Sequence, residues 1–595
     1  MAFDGLVNFS IVNEIKNKII NGKIDKIFEP SYDEIVLGIY CNGAKYALEL
    51  NINSKYYRAS LTTHAKPNPN QAPNFCMTLR KYLLGTHITN IYTSHLERIV
   101  FIEFEGYNKS NDFSIKKLVV ELMGKHSNII LLNKDGIIID ALKHFSINSG
   151  SSRNIYAGEK YLSPKSNKLD FNEITDEDEF YRVLVNNSKR LNSLSLQIIL
   201  SNTFTGICKT SIKAFETWLS TEDELNKTTS DKLFKYINQL LSCNEMVVCV
   251  DFNNDYALKY IPQSSLDQAN CSFTEKNEIS NLEEYKKVPL QINFFIDDYY
   301  IEKETHNTFI NYRDSLLRFI ITKLNKLTEK LEYINSKLQE CKELENYKLY
   351  GELMTSNLYR INNHNIGEIT LENYYDNNSP VTIKLDKSIS PSANAKKFFK
   401  KYQKLKSTKQ YVDKQKTDII LNIDYLESIV YEINSAKTII ELDNIYEELV
   451  ETSIVKEKTL NKSTQKSHKR KTIGHSVITK TGIGEPLKFE VDGFTVLIGK
   501  NNKQNDYLTT KIANENDIWF HVKDFHGSHT ILKTANKMPS QETINKCASL
   551  AKNYSKASQS SNIPVDYTFA KFVKKPSGSK PGMVIYTHEQ TVIVK

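Results

Sequence analysis

The chain has 595 residues and carries 78 Lys and Arg against 70 Asp and Glu, a formal net charge of +8. That length exceeds what one hydrophobic core organises, so several domains are expected. The modest positive balance suits an anionic partner only where it is gathered on particular faces. The eight cysteines, Cys41, Cys76, Cys208, Cys243, Cys249, Cys271, Cys341 and Cys547, form no CxxC pair and no Cys/His set at zinc-ligand spacing, which supports neither a zinc site nor a disulfide framework. No apolar stretch approaches membrane-spanning length, and the opening MAFDGLVNFSIVNEIKNKII lacks the cationic start, apolar run and small-residue cleavage site of an export signal. A cytoplasmic protein without a membrane partner is therefore expected.

Taken in chain order, residues 1–172 show short alternating apolar segments, KIFEPSYDEIVLGIY, YALELNI, RIVFIEFEG, NIILLN and GIIIDAL, broken by Gly, Asn and Asp. This predicts an antiparallel β-rich domain with a few helices. From residue 173 to about Cys243 the period lengthens in FYRVLVNN, LQIILSN and IKAFETWLS, as in short amphipathic helices. Gly206, within NTFTGICKTSI, falls between two such patterns. It reads either as the turn of a helix-hairpin-helix whose amides face a phosphate or as an ordinary helix-ending glycine. A β-like stretch, MVVCVDF to VPLQINFF, comes next, and the helix-hairpin-helix region with its following strands is placed at 173–285.

The next region, 286–450, carries the most regular pattern. Leu317, Ile320, Leu324, Leu327, Leu331, Ile334, Leu338 and Cys341 keep 3-4 spacing, and Phe398, Tyr402, Leu405, Val412, Ile419, Ile423, Leu426, Val430 and Ile433 form a second run interrupted by Lys409 and Lys416. Two matched seams joined by a compact insert at 351–396, with NNHNIGEI, TLENYYDNNSP and VTIKLD as strand-and-turn segments, predict a long antiparallel coiled-coil hairpin with a small β tip. Residues 451–483, containing KEKTLNKSTQKSHKRKT, read as a flexible basic linker. Residues 484–595 return to strand patterns around a helix near ETINKCASLAKNYSKA and predict a compact α/β domain. The whole is a multidomain α+β protein.

No Walker loop, HExxH, GxSxG or GxGxxG motif occurs, so neither catalytic residues nor a cofactor is expected. Polar clusters interrupt otherwise apolar segments instead. Glu97 and Arg98 precede a strand, where Arg98 suits a phosphate clamp or base stacking and a plain surface acid and base is the competing reading. In ELMGKHSNIILLN, Gly124 permits a backbone turn while Glu121, Lys125, His126, Ser127 and Asn128 crowd hydrogen-bonding groups ahead of a strand, as either a recognition loop or a capped turn. Near the end, Lys500, Asn501, Asn502, Lys503, Gln504 and Asn505 offer donors. Trp519, Phe520, His521, His526 and His529 offer stacking faces and switchable donors suited to an RNA backbone and unpaired bases, although at least one of the two large aromatics is expected in the core. No carboxylate or thiol completes a ligand set with the three histidines, so no metal is expected.

Eight motifs in one order, MAFDGL, PNFCMTLRKYLLG, ELMGKHSNIILL, GELMTSNLY, SPSANAKKFFKKY, GKNNKQNDYLT, DIWFHVKDFHGSH and VDYTFAKFVKKPSGSKPGMVIYT, resemble the NFACT family, and in particular its bacterial ribosome-quality-control members, which have also been labelled fibronectin-binding proteins. The resemblance implies an NFACT-N domain, a helix-hairpin-helix region, a coiled-coil middle domain and an NFACT-R RNA-binding domain. It implies a non-enzymatic translation factor that binds a large ribosomal subunit still holding peptidyl-tRNA, recruits alanyl-tRNA and directs untemplated C-terminal alanine tailing, with the small ribosome-associated protein RqcP as a further partner. Peptide transfer would belong to the ribosome. The family's tRNA contacts map to Glu97, Arg98, Glu121, Met123 and Gly124, with Glu97 standing where the family has Asp. A related glycosylase fold uses a proline after the initiator Met, and here that residue is Ala2, which removes the nucleophile. The older label leaves a cell-surface fibronectin-binding adhesin as the alternative.

Overall fold

A computed structural model of the chain describes residues 3–107, 113–146, 153–164, 166–242, 247–252, 255–261, 292–361, 366–455 and 484–595. Cys243, Cys271, the boundary at 285/286 and residues 456–483 of the basic linker lie outside the described residues. The chain divides into two compact units, Met1–His306 and Asn307–Lys595.

In the first unit, Asp4 caps helix α1 (Gly5–Ile19) by accepting from the Val7 amide at 3.1 Å, and α1 buries Leu6, Val7, Ile11, Ile15 and Ile19. Nine strands follow: β1 (Lys23–Ser31), β2 (Glu34–Cys41), β3 (Ala44–Asn51), β4 (Arg58–Leu61), β5 (His87–Thr93), β6 (Ile99–Tyr107), β7 (Phe113–Glu121), β8 (Asn128–Asn133) and β9 (Ile138–Ala141), with α2 (Asn74–Leu83) between β4 and β5. They form one antiparallel sheet in the order β4-β3-β2-β1-β5-β6-β7-β8-β9. Strand alternation sends Val100, Ile102 and Phe104 of β6 into the main core, while Ile99 joins Val119, Ile130, Leu132 and Ile138 on the opposite face. Both faces of that half of the sheet are thus apolar, which is why NIILLN reads as a continuous run rather than an alternation.

Four helices, α3 (Glu177–Leu191), α4 (Leu196–Thr203), α5 (Lys209–Leu219) and α6 (Lys227–Ser242), pack around Phe171, Phe180, Phe204 and Phe234. The hairpin β10 (Val247–Phe252) and β11 (Asp255–Tyr260) comes next. The segment INFF, read above as the end of a β-like stretch, begins helix α7 (Ile292–Glu340) instead. Ile292, Ile296 and Tyr300 are buried at four-residue spacing, a helical stripe that the adjacent aromatics Phe294 and Phe295 conceal in the sequence.

The division between the units falls within α7. Beyond it come α8 (Leu344–Ser356), the antiparallel hairpin β12 (Glu368–Asn373) and β13 (Ser379–Lys384), α9 (Pro391–Ser435) and α10 (Ile439–Glu451). Both seams supply buried residues. Tyr312, Leu316 and Ile320 of α7 cluster with Leu426, Ile429 and Ile433 of α9 and with Leu442, Ile445 and Leu449 of α10, while Ile334 clusters with Val412 and Ile419. Positions rising along α7 therefore meet positions falling along α9. At the far end Leu353, Met354, Ile383 and Ala395 pack together. The helices are 49 and 45 residues long.

The C-terminal part of this unit is a six-stranded sheet of β14 (Leu487–Val491), β15 (Phe494–Ile498), β16 (Ile518–Val522), β17 (Thr530–Lys533), β18 (Ile563–Phe569) and β21 (Gln590–Val594), in the order β14-β15-β17-β16-β18-β21. The short pair β19 (Val573–Lys574) and β20 (Ile585–Tyr586) stands apart from it. Helix α12 (Gln541–Asn553) covers one face through Cys547, Ala548 and Ala551, against Ile518, Phe520 and Val522, and α11 (Asn502–Tyr507) precedes β16.

Gly206 lies in the turn between α4 and α5 with φ +76°. A Cβ there would stand 2.1 Å from the Leu96 carbonyl oxygen, and the Gly206 carbonyl accepts from the Gly5 amide at 2.7 Å. After it the Cys208 amide (3.1 Å) and the Ser211 hydroxyl (2.6 Å) both donate to Asp4 Oδ2, and the Ser211 amide donates to Cys208 Sγ at 3.4 Å. This corrects the phosphate-facing reading, because the anion held at the start of α5 is the chain's own Asp4. Gly206→Ala should therefore cost more than about 2 kcal/mol by combining positive φ with backbone overlap. Chemical denaturation checks this, and a stability equal to that of the native chain would contradict the packing described.

Candidate nucleic-acid interface

The turn leading into β6 is gripped from three sides. Leu96 is fully buried, the Glu97 carbonyl accepts from Asn8 Nδ2 at 3.1 Å, and Glu97 Oε1 accepts from Thr205 Oγ1 at 3.1 Å. Glu97 thus reaches the α4–α5 turn, and Arg98 reaches Tyr57. Arg98 Nη1 donates to the Tyr57 hydroxyl at 3.2 Å with its guanidinium carbon 5.8 Å from the Tyr57 ring centre. Burial pushes the Tyr57 hydroxyl up from its ordinary range, so it stays neutral against the cation. Arg98 is half-buried, anchored through one nitrogen on a rigid aromatic. Such a guanidinium can clamp a phosphate or stack on a base.

The loop after β7 sorts its residues differently from the expectation. Glu121 is 1% exposed and accepts from both terminal nitrogens of Arg153 at 2.7 Å and from the Tyr161 hydroxyl at 2.8 Å. Asn128 is also 1% exposed. Its amide donates to the Lys143 carbonyl at 2.8 Å, and its oxygen accepts from the Lys143 and Ile129 amides. Both are corrections: their hydrogen-bonding capacity is spent inside the protein, because a buried carboxylate or amide without partners is costly. Met123 is half-buried, with its amide donating to Ser127 Oγ at 2.8 Å, and Gly124 takes φ +63° at the start of a 3₁₀ turn. What that turn offers to solvent is Lys125 and His126.

The GKNNKQN segment is turned inward to a greater degree. Asn501 caps α11, its Oδ1 accepting from the Gln504 amide at 2.9 Å, and Gln504 Oε1 accepts from the Lys500 amide at 2.9 Å. Asn505 Oδ1 accepts from the His529 amide at 3.0 Å. Asn502 Nδ2 donates to Ser428 Oγ at 3.1 Å and to Glu448 Oε1 at 3.3 Å. Asn501, Asn502, Gln504 and Asn505 are all buried, so expecting them as free donors is corrected. Lys503 pairs with Glu451 at 2.7 Å and Lys500 lies 3.8 Å from Glu441.

Alternation along β16 sends Phe520 towards α12 and Trp519 to the other face, and both are fully buried, so neither presents a stacking surface. Trp519 packs between His521, His529 and Tyr586 at centroid distances of 5.7, 5.2 and 4.9 Å. Burial pushes His529 down to about 3 and His521 down to about 4, so both stay neutral at physiological pH. His529 Nδ1 meets Thr509 Oγ1 at 2.7 Å, and His526 Nε2 lies 3.4 Å from Glu427 Oε2. Among the described residues no His, Cys, Asp and Glu group could hold a metal, and no helix is long and apolar enough to cross a membrane.

The sequence reading missed Tyr57, Arg153 and Tyr161 in the first unit. In the second it missed Lys580, which stands 4.4 Å from the Tyr425 ring centre and bonds Asn422, and the acids Glu427, Glu432, Glu441, Glu448 and Glu451. The acidic spacing in IIELDNIYEELVE was the available signal for α10. Nothing in the sequence marks Glu432 or Glu448 as buried.

Two family models match the chain: NFACT N-terminal and middle domains over residues 4–469, and NFACT protein RNA binding domain over residues 487–587. The chain belongs to the NFACT family. Among curated relatives of this NFACT protein, the Rqc2 homolog RqcH of Bacillus subtilis (strain 168) is 31% identical over 598 residues, spanning 100% of this chain and 98% of that one. The Rqc2 homolog RqcH of Streptococcus pneumoniae serotype 2 (strain D39 / NCTC 7466) is 30% identical over 598 residues with the same coverage. A solved structure of the C-terminal part of a Streptococcus suis fibronectin/fibrinogen-binding protein shares 30% identity over 48% of this chain and 94% of that one, with a TM-score of 0.36.

Two outcomes follow from the buried acids. Breaking the Glu121–Arg153 pair with Glu121→Ala should cost roughly 3–5 kcal/mol, while His126→Ala should leave stability unchanged, both read by chemical denaturation. Glu448 is pushed up to about 7 by burial, and Glu432 is raised by burial and by the nearby Glu448 carboxylate, each leaving Oε2 buried without a partner. Raised carboxylates bind protons more tightly in the folded state, so this contribution to stability is largest at low pH and falls as pH rises from the ordinary 4.5 towards about 7. Glu448→Gln should flatten that fall and raise the thermal midpoint at pH 8 relative to the native chain. Superimposable pH profiles of the two proteins would contradict it.

Proposed function

We propose that this NFACT protein is a ribosome-quality-control factor: it binds large ribosomal subunits that still hold peptidyl-tRNA, recruits alanyl-tRNA and directs untemplated C-terminal alanine tailing. The observation that carries this reading is the full-length likeness, at about 30% identity and with both family domains in order, to proteins named Rqc2 homolog RqcH. Chemistry at the interface supports the same reading. The half-buried Arg98 on Tyr57, flanked by Lys125 and His126 on their own turn, offers cationic and stacking contacts, whereas peptide transfer is left to the ribosome. Met123 and Gly124 shape that turn, and Glu97, whose Oε1 accepts from Thr205, belongs with Arg98 to the proposed tRNA contact.

In this reading α7 and α9 are the two strands of an antiparallel coiled coil with β12 and β13 at its tip. The exposed lysines of α9 next to the tip, Lys396, Lys397, Lys400, Lys401 and Lys404, make a second contact with ribosomal RNA. RqcP is a further partner and the protein acts in the cytoplasm. The fibronectin-binding alternative is the weaker reading: it rests on the older family label and on the descriptions of solved structures that each match about half of this chain.

Arg98→Ala tests the reading. The native chain should co-sediment with large subunits in a salt-sensitive manner, and the variant should lose at least about tenfold in affinity while melting normally. Unchanged sedimentation of the variant would remove Arg98 from the interface.

A further inference from the structure

The face of the C-terminal domain that holds Lys500, Asn502, Lys503, His526 and Lys580 is covered in this structure by the chain's own helices. Every one of these side chains ends on α9 or α10. Lys500 lies 3.8 Å from Glu441, Lys503 2.7 Å from Glu451 and His526 3.4 Å from Glu427. Asn502 donates to Glu448 and Ser428, and Lys580 bonds Asn422 while sitting over the Tyr425 ring. At the centre of the contact Asn502, Glu432, Glu448 and Tyr425 are buried, and Tyr425 donates to Glu448 Oε1 at 2.6 Å. The rim is wet, with the carboxylates of Glu427, Glu441 and Glu451 partly exposed.

Charge is segregated across this contact. One side supplies three lysines, a histidine and an amide, and the other supplies five carboxylates. On α10, Glu441, Glu448 and Glu451 set three carboxyl groups along about 15 Å of helix, with Glu448 buried at the centre and Glu441 and Glu451 at the rim. Carboxyl groups that face lysines, an amide donor and a cation over an aromatic ring occupy the contacts that the anionic oxygens of a nucleic-acid backbone would take.

We propose that this face of the C-terminal domain is a binding surface for the phosphate backbone of single-stranded RNA, held closed by the carboxylate row of α9 and α10, so that RNA and the helices compete for it. The proposal rests on the RNA-binding reading of the domain and adds where that surface lies and what occupies it. Opening exposes Lys500, Lys503, Lys580 and His526 together, and RNA bound elsewhere on the ribosome would favour the open form by binding it alone.

The test uses the full chain and a fluorescein-labelled oligouridylate. Glu427→Gln, Glu441→Gln and Glu451→Gln together keep side-chain size and the α10 cap while removing the rim charges. The oligouridylate should bind this triple variant roughly three- to tenfold more tightly than the native chain at low salt, the range that three partly exposed pairs can supply. A control with the same charge change on exposed stem positions, Glu329→Gln, Glu332→Gln and Glu345→Gln, should gain little. Adding Lys500→Ser and Lys503→Ser to the first triple should abolish its gain, and bound oligouridylate should speed amide exchange over 441–451. Equal gains in the two triples, a gain that survives loss of both lysines, or no RNA binding by any variant would each overturn the proposal. Ribosome co-sedimentation and its dependence on Arg98, measured on the same proteins, report separately on the functional reading and can fail or hold independently.

Discussion

A polar group taken out of water must find its partners inside the protein, and this constraint decides which side chains of the interface remain free to meet a ligand. Glu121 is held by Arg153 and Tyr161, Asn128 by the Lys143 backbone, and Asn502 by Glu448 and Ser428. Each such bond fixes a loop, and the residues it leaves outside, Arg98, Lys125 and His126 in the first unit, are positioned by those it draws in. The same constraint appears unrelieved at Glu432 and Glu448, whose paired burial leaves two carboxylate oxygens without donors and ties the packing of α9, α10 and the C-terminal domain to proton concentration.

The strands and helices were legible because apolar spacing reports burial directly. Ile320, Ile334, Val412 and Ile419, picked out by their periodicity, are buried, and RIVFIEFEG and NIILLN are strands. Where the reading failed, the periodicity was masked: the aromatics of INFF look alike in a strand or a helix, and only the four-residue recurrence of Ile292, Ile296 and Tyr300 decides it. The interface was less legible because donor-rich segments have two physical explanations. GKNNKQN suits a surface that binds RNA and equally a helix cap that binds its own backbone, and Asn501 with Gln504 takes the second course. Tyr57, Arg153 and the acids of α9 and α10 act at long sequence separation, which no local pattern encodes.

These placements give the family membership a physical content. Arg98 is held by Tyr57 and by a turn locked between Gly5, Leu96 and Gly206, so a small change in that packing would move the cation relative to any bound RNA. Glu97, in place of the aspartate that resemblance suggests, spends its extra methylene reaching Thr205. In the second unit, the residues that looked most like RNA contacts are instead the fabric on which lysines are mounted, which moves attention from Trp519 and the asparagines to Lys500, Lys503 and Lys580.

The most direct test of the central claim is to purify the tagged full chain from cells, sequence the RNA that accompanies it and determine the C-termini of the nascent chains it carries. The account predicts large-subunit ribosomal RNA together with tRNA, and nascent chains ending in alanines that no codon specifies. Recovery without large-subunit RNA, or nascent chains with encoded termini alone, would contradict it.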